Sequence, residues 1–250
     1  MYKRQILAEL IDETKIPAGV FNLVNGDGAT TGDALTSHPD VNMISFTGST
    51  RLGRHVNEVV SSRFGKTILE LGGNNCIIVD ETADMDIVVP AIVFGAVGTA
   101  GQRCTSTRRV IIHESVFDEL ADRIISAYKQ VQIGDPLIDG TLMGPLVNEN
   151  AIDDHFSAIK RATDHGGKVL YGGSKISGEA TYNEPVIIQA ENHWDIVQEE
   201  TFTPILYLIK YKELSEAIRM HNDVPQGLSS AMFTLNIKNA ETFLSSIGSD

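Results

Sequence analysis

A carboxylate and a thiol stand thirty-four positions apart in this chain. Glu70 lies within Leu69-Glu70-Leu71-Gly72-Gly73-Asn74-Asn75, and Cys104 within Gly98-Thr99-Ala100-Gly101-Gln102-Arg103-Cys104-Thr105. A thiolate can attack a carbonyl carbon, and a carboxylate can then draw a proton from the water that resolves the covalent adduct. Positive charge favours the thiolate over the thiol; Arg103 is adjacent to Cys104, and Arg108 and Arg109 are near it in sequence. The small residues from Ala96 to Gly101 let backbone come close to a ligand. The competing reading of a solitary cysteine is a packed structural one. That reading suits Cys76, set between Asn75 and Ile77 on an apolar strand.

Other segments could bind rather than react. Phe46-Thr47-Gly48-Ser49-Thr50 reads as a strand, a turn and a helix start, where backbone N–H groups and hydroxyls can hold a pyrophosphate; Gly48 and Ser49 are the candidates. Gly26, Gly28 and Gly32 form a near miss of the glycine pattern for dinucleotides, and on their own would be a glycine-bearing loop. Gln198-Glu199-Glu200-Thr201-Phe202-Thr203-Pro204 adds a second carboxylate, Glu200, with Glu199 as the adjacent alternative, whose competing reading is a solvated charge. None of the seven histidines has metal-ligand spacing. His155 and His165, on polar helical stretches, and His113, after a strand, read as solvated or capping side chains. The acidic residues are scattered, so no two-carboxylate glycosidase site is supported.

The elements that must position these groups alternate between strand and helix, which favours layered α/β architecture. A short helix is expected over Ile6–Thr14, a buried strand over Val20–Val24, and a helix over Thr31–Ser37. Met43–Phe46 is a strand, Arg51–Phe64 a helix with Leu52, Val56, Val59 and Val60 at helical spacing, and Thr67–Glu70 a strand. This βαβ rhythm suggests the later part of a nucleotide-binding sheet. Further on, Ile77–Val79 is a strand, and Asp84 and Asp86 sit where caps would precede a helix over Ile87–Val97, with Pro90 marking an early turn or a kink. Arg108–Ile112 is a strand, and Phe117–Val131 an amphipathic helix. Residues 245–250 follow a short helix and close nothing.

Bulk properties exclude more than they identify. With 42% hydrophobic and 21% charged residues, the chain has the composition of a folded domain. A net charge of −13 argues against nucleic acid, whose phosphates need clustered Lys and Arg. Two cysteines without paired spacing make a disulfide framework or zinc site unsupported and suit a reducing, cytoplasmic setting. No stretch reaches the ~18 apolar residues of a membrane span.

Taken together, Phe46–Thr50, Glu70–Asn74, Gly101–Cys104 and Glu200–Phe202 resemble, in order, the aldehyde dehydrogenase superfamily. Gly134-Asp135-Pro136, Gly144-Pro145-Leu146 and Gln226-Gly227-Leu228-Ser229-Ser230 extend the resemblance over essentially the whole chain. Within it, Asn74-Asn75 after the glycines and Phe202-Thr203-Pro204-Ile205-Leu206-Tyr207 are closest to the antiquitin group, the α-aminoadipic semialdehyde dehydrogenases. The resemblance implies an α/β fold: the C-terminal part of a Rossmann-type NAD domain over 1–72, then most of an α/β catalytic domain over 73–250, incomplete at its C-terminus. It implies oxidation of a small-molecule aldehyde by Cys104, through a thiohemiacetal and a thioester that Glu70 helps hydrolyse. NAD is the implied cofactor, with NADP left open, beside Gly28, Gly48, Ser49, Leu71, Gly72, Phe202 and Glu200, the last on the nicotinamide ribose. Arg103 would hold the distal carboxylate of the substrate. Thr203 departs from the family's usual glycine. No nucleic-acid or membrane partner is implied, and the parent enzyme would be a homo-oligomer. Family members run to about twice this length, so the chain reads as an internal fragment, with Met1–Gln5 matching nothing expected there. A catalytically incomplete binding or assembly module is the alternative. Coenzyme A as the thioester acceptor is a third reading, which Glu70 opposes.

Overall fold

The computed structural model describes residues 2–176 and 181–249, with side chains from Gln5 onward. Met1 and Asp250, the ends of the two terminal segments discussed above, lie outside these residues. The chain forms two compact units, Met1–Leu71 and Gly72–Asp250.

In the first unit, α1 (Tyr2–Glu13) is followed by a π-helical turn at Gly28–Gly32, α2 (Asp33–Ser37), β1 (Met43–Thr47), α3 (Thr50–Ser62) and β2 (Lys66–Glu70). β1 and β2 pair in parallel, Met43 opposite Lys66 and Thr47 opposite Glu70. Helix α3 buries Gly53, Val56 and Val60, the i, i+3, i+7 stripe that an amphipathic helix presents to a sheet. The strand expected over Val20–Val24 is absent. Val20, Phe21, Leu23 and Val24 are all more than half exposed, and among the described residues no strand pairs with them. Apolar β-formers make a strand only when a neighbour completes the hydrogen-bond ladder, and here none does.

In the second unit, β3 (Cys76–Val79) leads to α4 (Met85–Val97), β4 (Arg109–His113), α5 (Phe117–Tyr128), α6 (Glu149–Asp164) and β5 (Lys168–Gly172). Then come β6 (Val186–Gln189), α7 (Asp195–Gln198), β7 (Ile205–Tyr211), α8 (Leu214–Asn222), β8 (Ser230–Phe233) and α9 (Ile237–Leu244). The sheet order is β5-β6-β7-β4-β3-β8; β5 runs antiparallel to β6, and the other neighbours are parallel.

Helices cover both faces, so the inner strands read as unbroken apolar runs rather than alternating ones. Ile77, Val79, Val110, Ile112, Leu206 and Leu208 pack on one face against Val88, Ile92 and Val97 of α4 and Leu120 and Ile124 of α5. Ile78, Ile111, Tyr207 and Ile209 pack on the other against Ala158 and Ala162 of α6 and Ala217 and Ile218 of α8. Asp84 caps α4 by accepting the Asp86 N–H. Pro90 lies on the exposed side of that helix, which runs through it. The tail after α9 is held to α8, with Asn222 Nδ2 donating to Gly248 O at 2.8 Å and His221 Nε2 lying 2.9 Å from Ser249 Oγ. Among the described residues no helix is long and apolar enough to cross a membrane.

Leu120 is fully buried between α5 and the sheet. Leu120→Ala is therefore expected to lower the unfolding free energy by about 2–5 kcal/mol, measured as a lower denaturant midpoint at unchanged slope.

Candidate active site

Cys104 owes its position to a forced change of direction after α4. Ala100 and Gly101 both have positive φ, 53° and 67°, and turn the chain back toward β4. At Gly101 a side chain has no room: a Cβ there would lie 2.3 Å from the Thr203 carbonyl oxygen. The small residues before the cysteine thus serve a close backbone approach. Cys104 itself is half-buried. Asn75 fixes its backbone, since Nδ2 donates to Cys104 O at 2.7 Å and Ser106 O at 2.8 Å. The same amide's Oδ1 accepts the N–H groups of Leu228 and Ser229.

The centre of the arrangement is Arg108, just ahead of β4, whose side chain is only 3% exposed. Each of its five N–H donors has a partner: Nε on Gly73 O, Nη1 on Gly101 O and Thr201 O, and Nη2 on Arg103 O and Glu200 Oε1. Its guanidinium carbon lies 5.2 Å from the centre of the Phe202 ring. Burial pulls the Arg108 pKa below its ordinary value, and the neighbouring Glu200 carboxylate opposes that pull. Three loops, around Gly73, Gly101–Cys104 and Glu200–Phe202, therefore converge on one cation.

The neighbouring glutamates divide. Glu199 faces solvent and pairs with Arg161 at 2.6 and 2.9 Å. Glu200 turns inward: Oε1 accepts the Gly73 N–H at 3.1 Å and Arg108 Nη2 at 3.2 Å. A Cβ at Gly72 would lie 1.9 Å from Oε2, so the glycine makes room for the carboxylate. Phe202 stays partly exposed beside it.

Thr203, the departure from the family pattern, is buried, and its Oγ1 lies 3.1 Å from His155 Nδ1. This corrects the expectation for His155, which is fully buried rather than solvated; its helix turns that residue inward, onto the segment that departs from the pattern. His165 caps the C-terminus of α6 and His113 bonds Ser115 Oγ.

The remaining candidates sit as follows. Cys76 is 1% exposed, and burial pushes its thiol up to about 11. The Arg103 side chain is exposed, while its backbone N–H donates to Ser106 Oγ at 3.1 Å. In the first unit Glu70 is exposed at the end of β2, and its carbonyl accepts the Gly48 N–H at 3.1 Å. Leu71 packs over Gly53. Ser49 caps α3 by accepting the Leu52 N–H. Gly28 opens the π-helical turn, capped by Asp27 through the Thr30 N–H. Sequence reasoning missed Arg108 as the organiser and Asn75 as the clamp. The available signal was an Arg-Arg pair running straight into Val110-Ile111-Ile112, since an apolar strand buried on both faces carries such cations inward.

The aldehyde dehydrogenase family matches residues 3–249. The chain belongs to this family. It is 42% identical over 246 residues to aldehyde dehydrogenase family 7 member B4 of Arabidopsis thaliana, spanning 98% of this chain and 48% of that protein. It is 43% identical over 247 residues to alpha-aminoadipic semialdehyde dehydrogenase of Mus musculus, spanning 98% and 46%. The crystal structure of betaine aldehyde dehydrogenase from Staphylococcus aureus in complex with NAD+ superposes with a TM-score of 0.91 at 29% identity, over 94% of this chain and 48% of that one. The chain thus spans about half the length of the curated relatives it matches.

Two outcomes follow from this geometry. Gly101→Ala should displace the Cys104 turn and cost about 1–3 kcal/mol, measurable by thermal unfolding together with slower alkylation of Cys104. Burial lowers the ring pKa of both His155 and His221 from 6.5 to about 4, with the nearby Arg109 charge assisting at His221. Above pH 6.5 both the native and the unfolded rings are neutral, and their burial carries no protonation cost. As pH falls from 6.5 toward 4 the unfolded chain takes up protons the native rings refuse, so stability is lost, by on the order of 3 kcal/mol per ring. Denaturant titrations across that window should show the fall, and His155→Gln should flatten it.

Proposed function

We propose that the protein oxidises an aldehyde to its carboxylic acid with a nicotinamide cofactor, and that the aldehyde is a semialdehyde of the α-aminoadipic type. The observation that carries this reading is the convergence on Arg108, which gathers the Cys104 turn, the Gly72–Gly73 backbone and the Glu200 carboxylate within one unit. Residues 1–72 are read as the C-terminal part of an NAD-binding domain and 73–250 as the catalytic domain. The relatives' names support the activity, and that of the mouse relative supports the choice of semialdehyde.

The residues divide the work by their chemistry. The Cys104 thiolate attacks the aldehyde carbon; a C–S bond forms and the carbonyl electron pair moves to oxygen. The backbone N–H of Cys104 donates to that oxyanion, a contribution typically worth ~3 kcal/mol. A bound nicotinamide supplies the acceptor for the hydride that leaves this carbon. The thioester left on Cys104 is cleaved by water that gives a proton to Glu70, and the C–S bond breaks to return the thiolate and release the acid. Arg103, with its exposed side chain, is assigned to the distal carboxylate of the substrate.

The candidate residues fit the cofactor by their own chemistry. Glu200 offers Oε2, cradled where Gly72 lacks a Cβ, to a vicinal diol such as a ribose. Gly48 and Ser49, at the N-terminus of α3, are assigned to phosphate, with Gly28, Leu71 and Phe202 as lining. NAD is the assigned nucleotide, with NADP as the competing one. A homo-oligomer is the proposed assembly of the full-length parent protein, and the cytoplasm its compartment.

Turnover tests the reading directly. With NAD and α-aminoadipic semialdehyde, the purified protein should form NADH, and Cys104→Ala should abolish it. Glu70→Gln should leave an initial stoichiometric burst of NADH with little turnover, because hydrolysis of the thioester then lacks its base. Unchanged turnover in Cys104→Ala would overturn the mechanism, and absence of turnover with NAD and any semialdehyde in the wild-type protein would overturn the function.

A further inference from the structure

We propose that Arg108 is a positioning residue for cofactor binding: it takes Glu200 Oε1 into its own hydrogen-bond set so that Oε2 is the oxygen presented to the ribose. This rests on the reading of Glu200 as the ribose-holding carboxylate.

The geometry supports the assignment from both sides of the contact. A glutamate side chain in water samples many rotamers, and fixing it costs entropy that the ligand would otherwise have to supply on binding. At Glu200 that cost is met before a ligand arrives. Oε1 is held at 3.2 Å by Arg108 Nη2 and at 3.1 Å by the Gly73 N–H, whereas among the described residues Oε2 has no hydrogen-bond partner. The Gly72 backbone lies against Oε2 with no space for a Cβ, which blocks the carboxylate from swinging that way. The side chain is 14% exposed, so it is confined yet not sealed off.

Arg108 can do this because it is itself immobile. Its four other donors end on the carbonyls of Gly73, Gly101, Thr201 and Arg103, and Phe202 covers its plane. The bond to Glu200 is thus made from a rigid base. A planar fork of five donors is what reaches five acceptors in different directions; a lysine at the same position offers three donors on one atom and cannot span them. Lysine keeps the buried positive charge opposite Glu200 but gives up the alignment. Because Gly101 O and Arg103 O share the same guanidinium with Glu200, the carboxylate is also referenced to the cysteine turn.

A double-mutant cycle on NAD binding tests the proposal without recourse to turnover. The dissociation constant of NAD is measured by calorimetry for the wild-type protein, R108K, R108Q, E200Q and R108Q/E200Q, with circular dichroism and thermal midpoints alongside. E200Q is expected to weaken binding by roughly 10- to 100-fold, the scale of losing a hydrogen bond to a charged group. R108Q should weaken it to a similar extent, and the double variant no further than the weaker single one, because both remove one contact. R108K should keep a native circular dichroism spectrum and still bind NAD at least several-fold more weakly than wild type. It carries the test alone if R108Q fails to fold. Wild-type affinity in a folded R108K, or strictly additive losses in the cycle, would overturn the role of Arg108. Unchanged affinity in E200Q would instead overturn the reading of Glu200 on which the proposal stands.

Discussion

The second unit is organised around the burial of two adjacent guanidinium groups at the head of its central strand. Arg108 and Arg109 cannot be deprotonated at accessible pH, and a buried cation without partners costs several kcal/mol. Adjacent residues of a strand point to opposite faces, so the pair makes two separate demands. Arg108 draws in the carbonyls of Gly73, Gly101, Arg103 and Thr201 and the Glu200 carboxylate. Arg109 collects Asn192 Oδ1 and the carbonyls of Asn74, Met220 and His221. Only one of the nine acceptors is a carboxylate; seven are backbone carbonyls, which have to be delivered by loops. The loops that bend to satisfy Arg108 are those carrying Cys104, the glycine pair and Glu200. Satisfying a buried cation and gathering the candidate residues are here one event.

The two units meet the same requirement, hydrogen-bond partners for every strand, with different success. In the second, four of the six strands lie between two neighbours each, and the core residues divide cleanly between the two faces. In the first, β1 and β2 have only each other among the described residues; their residues alternate between exposed and half-buried, and Phe64, at φ 61°, is 97% exposed. Most helix and strand positions in both units were legible from periodicity, because a helical stripe or an apolar run is a local property. The strand expected at Val20–Val24 was not realised, because a strand is completed by another segment. Cys104 and Glu200 were legible as motif residues. The inward turn of His155 was hidden, since polar neighbours on the same helix mask one buried position. Arg108 was visible as a charge near the cysteine, but its five partners come from residues up to 93 positions away along the chain, and no local window contains them.

The two cysteines show how differently one residue type is set within a single unit. Cys76 lies on the second sheet face among Ile78, Ile111 and Tyr207, where burial outweighs the favourable charge of Arg109 and raises its pKa. At about 11 it is a thiol throughout the neutral range, inert as a nucleophile and useful as a small apolar side chain. Cys104 is outside the sheet, half-buried, on a turn whose backbone is held at both ends by side chains with no further freedom, Asn75 at its own carbonyl and Arg108 at those of Gly101 and Arg103. Each clamp reaches from its own strand or loop to a second and a third segment: Asn75 to Leu228 and Ser229, Arg108 to Thr201 and Glu200. A displacement of the cysteine turn must therefore break charge-assisted bonds elsewhere in the unit. The half-buried residue is thereby carried on a rigid mount outside the apolar core, so its position is set by the folding of the whole unit rather than by its own turn.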